Sequence, residues 1–506
     1  MSDRLRMTGL ASGMDTQSIV EQLVEVKSYK KTDLINEQTK LGWKQEAWKD
    51  LNKKMYSFYT NKLGEMRFED FFNKKSANIV DSSIAKVSAE GNAVNGTQSL
   101  AVKQLAKTQY ITSKSYGDDI TGKSTVAEAM PDLEIPKTLS VNGRTIEITD
   151  TTTMKELAEG FAAAGLNASF DDKTHRLFIS AKESGEAGKF EIKQLDGEGN
   201  ATDASALLKT MGLSEKGGAS VIDGQDAKII LNGAEFTSST NNFSVNGLSI
   251  TATKESEKTG EDKYVTTNVS VDTDIDGIYD AIKDFFKEYN DLINEMAKLY
   301  NADSARDYKV LSDEEKDAMS DEEVEKWEAK IKDSLLRRDD DLGTALEMFK
   351  SGMMASFETD GKKFSLASFG MGTLSYLEAA ENERYAIHID GNKDDDTTGS
   401  KEDKLRTAIT NDLDSVKGFF TKLSGDIYKT MTKQMSRTEY RSIYSMYDDK
   451  ALQNEYDKLT KDIEKEEEKL SDYEDKWYDK FSKMESAMEK INSKSNSIAS
   501  LLGMNG

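Results

Sequence analysis

Residues 456–501 read YDKLTKDIEKEEEKLSDYEDKWYDKFSKMESAMEKINSKSNSIASL, with an apolar side chain at every seventh position: Tyr456, Ile463, Leu470, Trp477, Met484, Ile491 and Ile498. Such a repeat places one seam along a helix, and a strict period of seven implies a left-handed supercoil with a partner. The companion seam, Leu459, Glu466, Tyr473, Lys480, Ala487, Lys494 and Leu501, is mixed. Phe481, Met488 and Leu502 stand one position further on and broaden the stripe where the companion is charged. A helix of this length, roughly 75 Å at 1.5 Å per residue, is not held by propensity alone and needs something to pack against.

The nearest candidate partner lies at the other end of the chain. After Asp15, a helix-capping residue type, Ile19, Leu23 and Val26 fall on one helix face. Leu34, Leu41, Trp48 and Met55 then recur every seven residues, joined by Leu51 and Phe58. The pattern pauses near Lys30, so two helical segments with a bend are expected there. An apolar seam at helical spacing is most often core. Here the open choice is between one chain's core and an assembly's, and the breadth of Trp477, Phe481, Met484 and Met488 in a charged background favours assembly.

Between about Asn73 and Asp274 the period changes to two, with Gly, Ser, Thr, Asn and Val prominent. LSVNGRTIEI and FSVNGLSITAT each set Asn-Gly between alternating apolar residues, and IILNGAEF repeats the arrangement at Asn232-Gly233. Asn-Gly is the preferred pair for a type I′ hairpin because both central positions need positive φ. Thr153 with Glu156 forms a capping-box pattern and Gly165 a stop, giving one short helix among the strands. After Asp274 the helical period returns, with Ile278, Ile282, Phe285, Phe286, Tyr289, Leu292 and Ile293 on one broad face. Ser312 with Glu315 and Ser320 with Glu323 are further capping boxes.

The fold expected is a multidomain α+β chain, with terminal coiled-coil helices and a helical bundle domain enclosing two β-rich inserted modules. Residues 1–40 and 440–506 form the terminal leg, and 41–72 with 275–439 the helical bundle. Residues 73–120 with 222–274 form one β-rich domain, and 121–221 a second inserted within it. The 506 residues suit about three domains.

With 92 acidic against 68 basic residues the formal charge is −24, which repels nucleic acid and anionic lipid in the absence of a concentrated basic patch, and none is found. Zero cysteines exclude disulfides, thiolate nucleophiles and cysteine zinc sites. No run approaches eighteen apolar residues, and MSDRLRMTG lacks the apolar core of a secretory leader, so neither membrane insertion nor a cleaved signal is expected.

Chemical sites are weak. DTDIDGIYDAIK begins like a calcium loop at Asp272, Asp274, Asp276 and Gly277, but Lys283 stands where a bidentate glutamate is needed, and helix capping is the better reading. His175 and His388 sit in strand-like contexts, THRLFI and YAIHI, without the neighbours a triad or a metalloprotease helix requires. The acidic runs at Asp339 and Asp394 read as solvated loops. No catalytic residue, cofactor site or metal site is expected.

Five stretches carry a resemblance to the flagellar hook-associated protein 2 family of filament caps. Gly9-Leu10-Ala11-Ser12-Gly13-Met14-Asp15-Thr16 followed by Ile19-Val20 resembles its amino-terminal motif, and GTQSLAVKQLAKTQ the start of its β region. The stretch from TLSVNGRTIEITD to LFISAKESG is similar to a module shared with flagellins, which marks residues 121–221 as a flagellin/hook-type module. LSDEEKDAMSDEEVEKWEAKIKDSLLRRDDDL and YDKFSKMESAMEKINSKSNSIASLLG are similar to its later helical parts. Members often carry a proline shortly after the first helix, which SYKKTD lacks.

The resemblance implies a homo-oligomeric ring, pentamer or hexamer, at the filament tip, under which flagellin folds and inserts. It further implies contact with hook-filament junction proteins, a flagellar type III export chaperone, and extracellular delivery by that system without a cleaved signal peptide. Gly9 and Gly13 supply a hinge at the amino terminus. An adhesin, binding mucus or host surfaces through the β-rich domains, is the alternative role. Trp477→Asp is expected to abolish capping, and Glu485→Lys, outside the stripe, to be tolerated.

Overall fold

A computed structural model of the chain describes residues 12–501. Gly9 and Leu10, two of the expected amino-terminal site residues, lie outside them. The chain divides into two compact units: one is the segment up to Phe72 together with everything from Ile275, and the other is Asn73–Asp274.

The first unit is helical. Its first helix, Thr16–Ser57, begins at Asp15, whose carboxylate accepts the Ser18 N–H at 3.0 Å. It runs through Lys30 without interruption, so the expected bend is absent. The physical reason lies in SYKKTD: with no proline, every N–H in that turn keeps its place in the ladder and no ring clashes with the preceding turn. At Phe58–Leu63 the helix widens into a π-turn, which brings the consecutive Phe58 and Tyr59 both into buried positions.

Around this base pack the helices Ile275–Tyr300, Asp340–Met353 and Leu413–Gln434. Every residue expected on the broad face of Ile275–Tyr300, from Ile278 to Ile293, is buried in the shared core. Phe58 meets Phe285 with ring centroids 5.3 Å apart, and Phe419 meets Phe420 edge-on at 5.1 Å. Such offset aromatic pairs add to the area they bury. Both capping boxes at Ser312 and Ser320 are formed.

The second unit holds two separate cores. One lies between an antiparallel five-stranded sheet (Lys75–Ile79, Thr267–Thr273, Gly96–Gln104, Ala227–Leu231, Ala234–Ser238) and a three-stranded one (Asn242–Val245, Leu248–Ala252, Ala85–Ala89). The other belongs to two four-stranded sheets and the helix Met154–Ala163, which starts on the Thr153–Glu156 capping box and is followed by Gly165 at φ +89°. The three Asn-Gly pairs singled out above turn hairpins, with φ of 49° and 76° at Asn142-Gly143, 50° and 84° at Asn232-Gly233, and 50° and 75° at Asn246-Gly247.

Three local expectations are corrected. His175 is not within a strand: it sits at φ +52° in the turn after Asn167–Asp171, with Nδ1 2.7 Å from the Ile120 carbonyl. The acidic runs are not simply solvated. Asp339 caps the helix Asp340–Met353 and pairs with Lys44 at 2.8 Å, and Asp341 accepts from Arg441 at 2.9 Å. Asp394 pairs with Lys283 at 2.8 Å, and Asp395 with His388 Nδ1 at 2.6 Å.

Candidate functional site

The terminal helices find each other within one chain. The closing helix, Asp449–Leu501, lies antiparallel on the first helix. Gly42 of the first helix lies beside the Tyr456 ring, 3.7 Å from where a Cβ would stand, an ordinary van der Waals contact. Gln38 Nε2 donates to Thr460 Oγ1 at 2.6 Å, Lys30 pairs with Glu466 at 2.6 Å, and Lys31 with Glu467 at 2.9 Å. Ser12 N–H donates to Glu485 Oε2 at 3.1 Å. As the contact moves back along the chain from Gln38 through Lys30 to Ser12, it moves forward along the closing helix from Thr460 through Glu466 to Glu485, the order of an antiparallel pair.

Two of the three charged positions of the companion seam, Glu466 and Lys480, make such contacts, and Lys494 is exposed. Glu466 lies between Lys30 and Lys469, whose ammonium groups hold its carboxyl down at about 2. Lys480 stands over the Trp477 ring at 4.2 Å, a cation–π contact. These charges lie at the edge of the seam and link it sideways.

Of the amino-terminal residues singled out above, Asp15 caps the first helix and Gly13 takes φ +71° just before it. Ile19 and Leu23 are half-buried, whereas Val26 is 68% exposed. Val20, which the periodicity passed over, is the side chain fully enclosed in this stretch. Along the closing helix Tyr456, Ile463, Leu470, Trp477 and Met484 are half-buried, and Ile491 and Ile498 stand 60% and 57% exposed. Trp477 sits between Tyr473 and Phe481, with centroid distances of 6.2 Å and 5.9 Å.

At the foot of this pair the two helices join the bundle through a charged knot. Arg441 donates to Asp341 and Asp448 at 2.9 Å each and to the Gln434 carbonyl at 2.9 Å, while Trp48 stacks on Tyr447 at 4.9 Å. Burial pushes the Asp341 carboxyl up from its ordinary range, against the downward pull of the Asp448 N–H and of Arg441. Nothing in the spacing of single residues marked this knot. The signal available was the aromatic density of YRSIYSMY directly before the closing helix.

Among the described residues no group of His, Asp and Glu is placed to hold a metal ion, and no helix is long and apolar enough to cross a membrane. Asp272 lies in a strand opposite Ser76, Asp276 is engaged by Arg406, and Lys283 by Asp394.

Comparison with known proteins returns one family throughout. The model of the flagellar hook-associated protein 2 C-terminus matches residues 224–493, and that of its N-terminus residues 12–109. A flagellar hook-associated protein 2 from Halalkalibacterium halodurans is 25% identical over 452 residues, 81% of this chain and 78% of that one. An A-type flagellar hook-associated protein 2 from Pseudomonas aeruginosa is 25% identical over 336 residues, 61% of this chain and 66% of that one. In fold, the chain is similar to a crystal structure of the flagellar cap protein FliD from Escherichia coli, with a TM-score of 0.50 and 18% identity over 78% of this chain and 96% of that one. The chain belongs to the flagellar hook-associated protein 2 family.

Proposed function

We propose that this protein caps the growing end of a bacterial flagellar filament as a homo-oligomeric ring. Its paired terminal helices act as legs that engage arriving flagellin and the filament end, and its β-rich domains build the cap plate. The role is mechanical and needs no cofactor. Export by the flagellar type III system with a chaperone, extracellular placement at the filament tip, contact with hook-filament junction proteins and a ring of five or six copies belong to the same reading.

The observation that carries it is apolar surface left over after the two helices have paired. Trp477 and Met484 remain only half-buried, and Ile491 and Ile498 more than half exposed, in a helix otherwise rich in charge. A helix serving one intramolecular partner would have polar residues at those seam positions. A helix that packs on further subunits needs them apolar.

The test is complementation of a cap-deficient strain. Trp477→Asp puts a charge into that surface and should release flagellin monomers into the medium in place of filaments, at unchanged protein level. Filaments of normal length from this variant would remove the legs from the capping mechanism. Light scattering on the purified chain reads the ring directly, and a monomer at all accessible concentrations would overturn it.

A further inference from the structure

We propose that Glu485 is the residue that positions the start of the first helix, together with the turn from Ser12 to Asp15 that leads into it, on the closing helix. Its bearing on filament capping rests on the function proposed above; the contact itself does not.

Glu485 is 8% exposed, and among the described residues it is the one charged side chain that is buried. The rest of the closing helix sends its acids outward or to its edges, as at Glu467 and Glu489. Enclosing a carboxylate is costly unless donors meet it. Two donors come from Ser12, whose N–H reaches Oε2 at 3.1 Å and whose hydroxyl donates to Oε1.

The bonds continue from there into the helix. Ser12 Oγ accepts the Met14 N–H at 3.3 Å, the Met14 carbonyl accepts the Thr16 N–H at 2.9 Å, and Asp15 caps Ser18. Thr16 and Val20, at 3% and 0% exposed, close the same end with side-chain packing. A carboxylate beside the amino end of a helix is also favoured by the helix dipole. This geometry stands against the expectation that Glu485→Lys is tolerated: a straight helix drifts relative to a seven-residue repeat, and at Glu485 a residue outside the seam is enclosed.

Hydrogen exchange on the full-length chain tests the contact. In Glu485→Ala, amides of residues 16–24 should exchange roughly ten to a hundred times faster, the range of one or two lost charge-assisted bonds, while residues 48–58 in the bundle keep their protection. Glu485→Gln, which retains an acceptor, should fall between. Ser12→Ala should speed exchange in the natural background and add nothing once Glu485 is alanine. Unchanged exchange in Glu485→Ala, or a Ser12→Ala effect of equal size in both backgrounds, overturns the proposal. In a cap-deficient strain Glu485→Ala and Glu485→Lys should leak flagellin, with recovery in Glu485→Gln. Faster exchange with normal filaments would leave the contact standing and remove that turn from the capping reading.

Discussion

The two halves of the first helix differ in what they bury, although an apolar face is legible in the sequence of each. From Leu41 to Phe58 the seam is enclosed: Trp48, Leu51, Met55 and Phe58 have 4% exposure or less and belong to the core of the helical unit. From Ile19 to Leu34 the seam positions are half-buried or exposed, and one helix partner covers them. Periodicity reports which face of a helix is apolar. How deeply that face lies depends on how many elements surround it, and spacing carries no information about that.

The largest expected effect lies in the enclosed half. Trp48→Ala removes an indole that stacks on Tyr447 and reaches Asp339 with Nε1 at 3.5 Å. It should lower the stability of the helical unit by about 3–5 kcal/mol, read by denaturant unfolding followed through far-ultraviolet dichroism. A loss under about 1 kcal/mol would mean that the two halves are equally peripheral.

Where the halves meet, the Arg441 knot should come next. Arg441→Ala strands Asp341, whose carboxyl burial already disfavours in its charged form. Removing one member of a fully enclosed pair costs about 3–5 kcal/mol, and Asp341 keeps 31% exposure, so on the order of 2 kcal/mol is expected here. Asp341→Asn in the Arg441→Ala background should recover part of the loss in the same unfolding experiment. No recovery would show that Arg441 acts through the Gln434 carbonyl or Asp448 instead.

Local chemistry was legible from sequence, and tertiary choices were not. The three hairpins could be placed because Asn-Gly meets a backbone requirement inside four residues, and the capping boxes at Thr153, Ser312 and Ser320 because each closes on itself. The broad face of Ile275–Tyr300 was equally plain. The uninterrupted passage through Lys30 was missed because the apolar pattern weakens there, while the backbone lacks the proline that would break it. Glu485, Asp341 and His175 were missed for a shared reason: polar residues default to the surface in a sequence reading, and only a distant donor reveals that one has been taken inside. Of the candidate site, the family motif located both ends, but not that Val20 would be enclosed and Val26 left 68% exposed.

In the half-buried region a truncation should be mild. Leu470→Ala removes a side chain whose site is already partly solvated, so about 1 kcal/mol is expected. The loss should appear as faster amide exchange along the distal part of both helices, without a change in the bundle. Global destabilisation comparable to that of Trp48→Ala would erase the distinction between the halves.

The smallest effect separates the two halves by acid. Glu466, beside Lys30 and Lys469, has a folded-state carboxyl held at about 2 against an ordinary value of 4.5. A carboxyl lowered by folding contributes stability that is complete above 4.5 and disappears as the pH falls from there to about 2. Asp341 at the foot of the leg is shifted the other way by burial, so its contribution is present below its unfolded value and declines as the pH rises through the folded one. Acidification therefore weakens the Lys30–Glu466 link while relieving the cost at Asp341. The fluorescence of Trp477, isolated from that of Trp43, Trp48 and Trp327 by difference against a Trp477→Phe chain, reports on the leg and should respond between pH 4.5 and 2 before the bundle's dichroism does. Lys30 and Lys469 are 68% and 65% exposed, so the response should shrink as salt is raised. Glu466→Gln has no carboxyl to titrate and should flatten the fluorescence change. If the Gln variant follows the same acid curve as the natural chain, the Lys30 link does not hold the distal half together, and the apolar seam alone does.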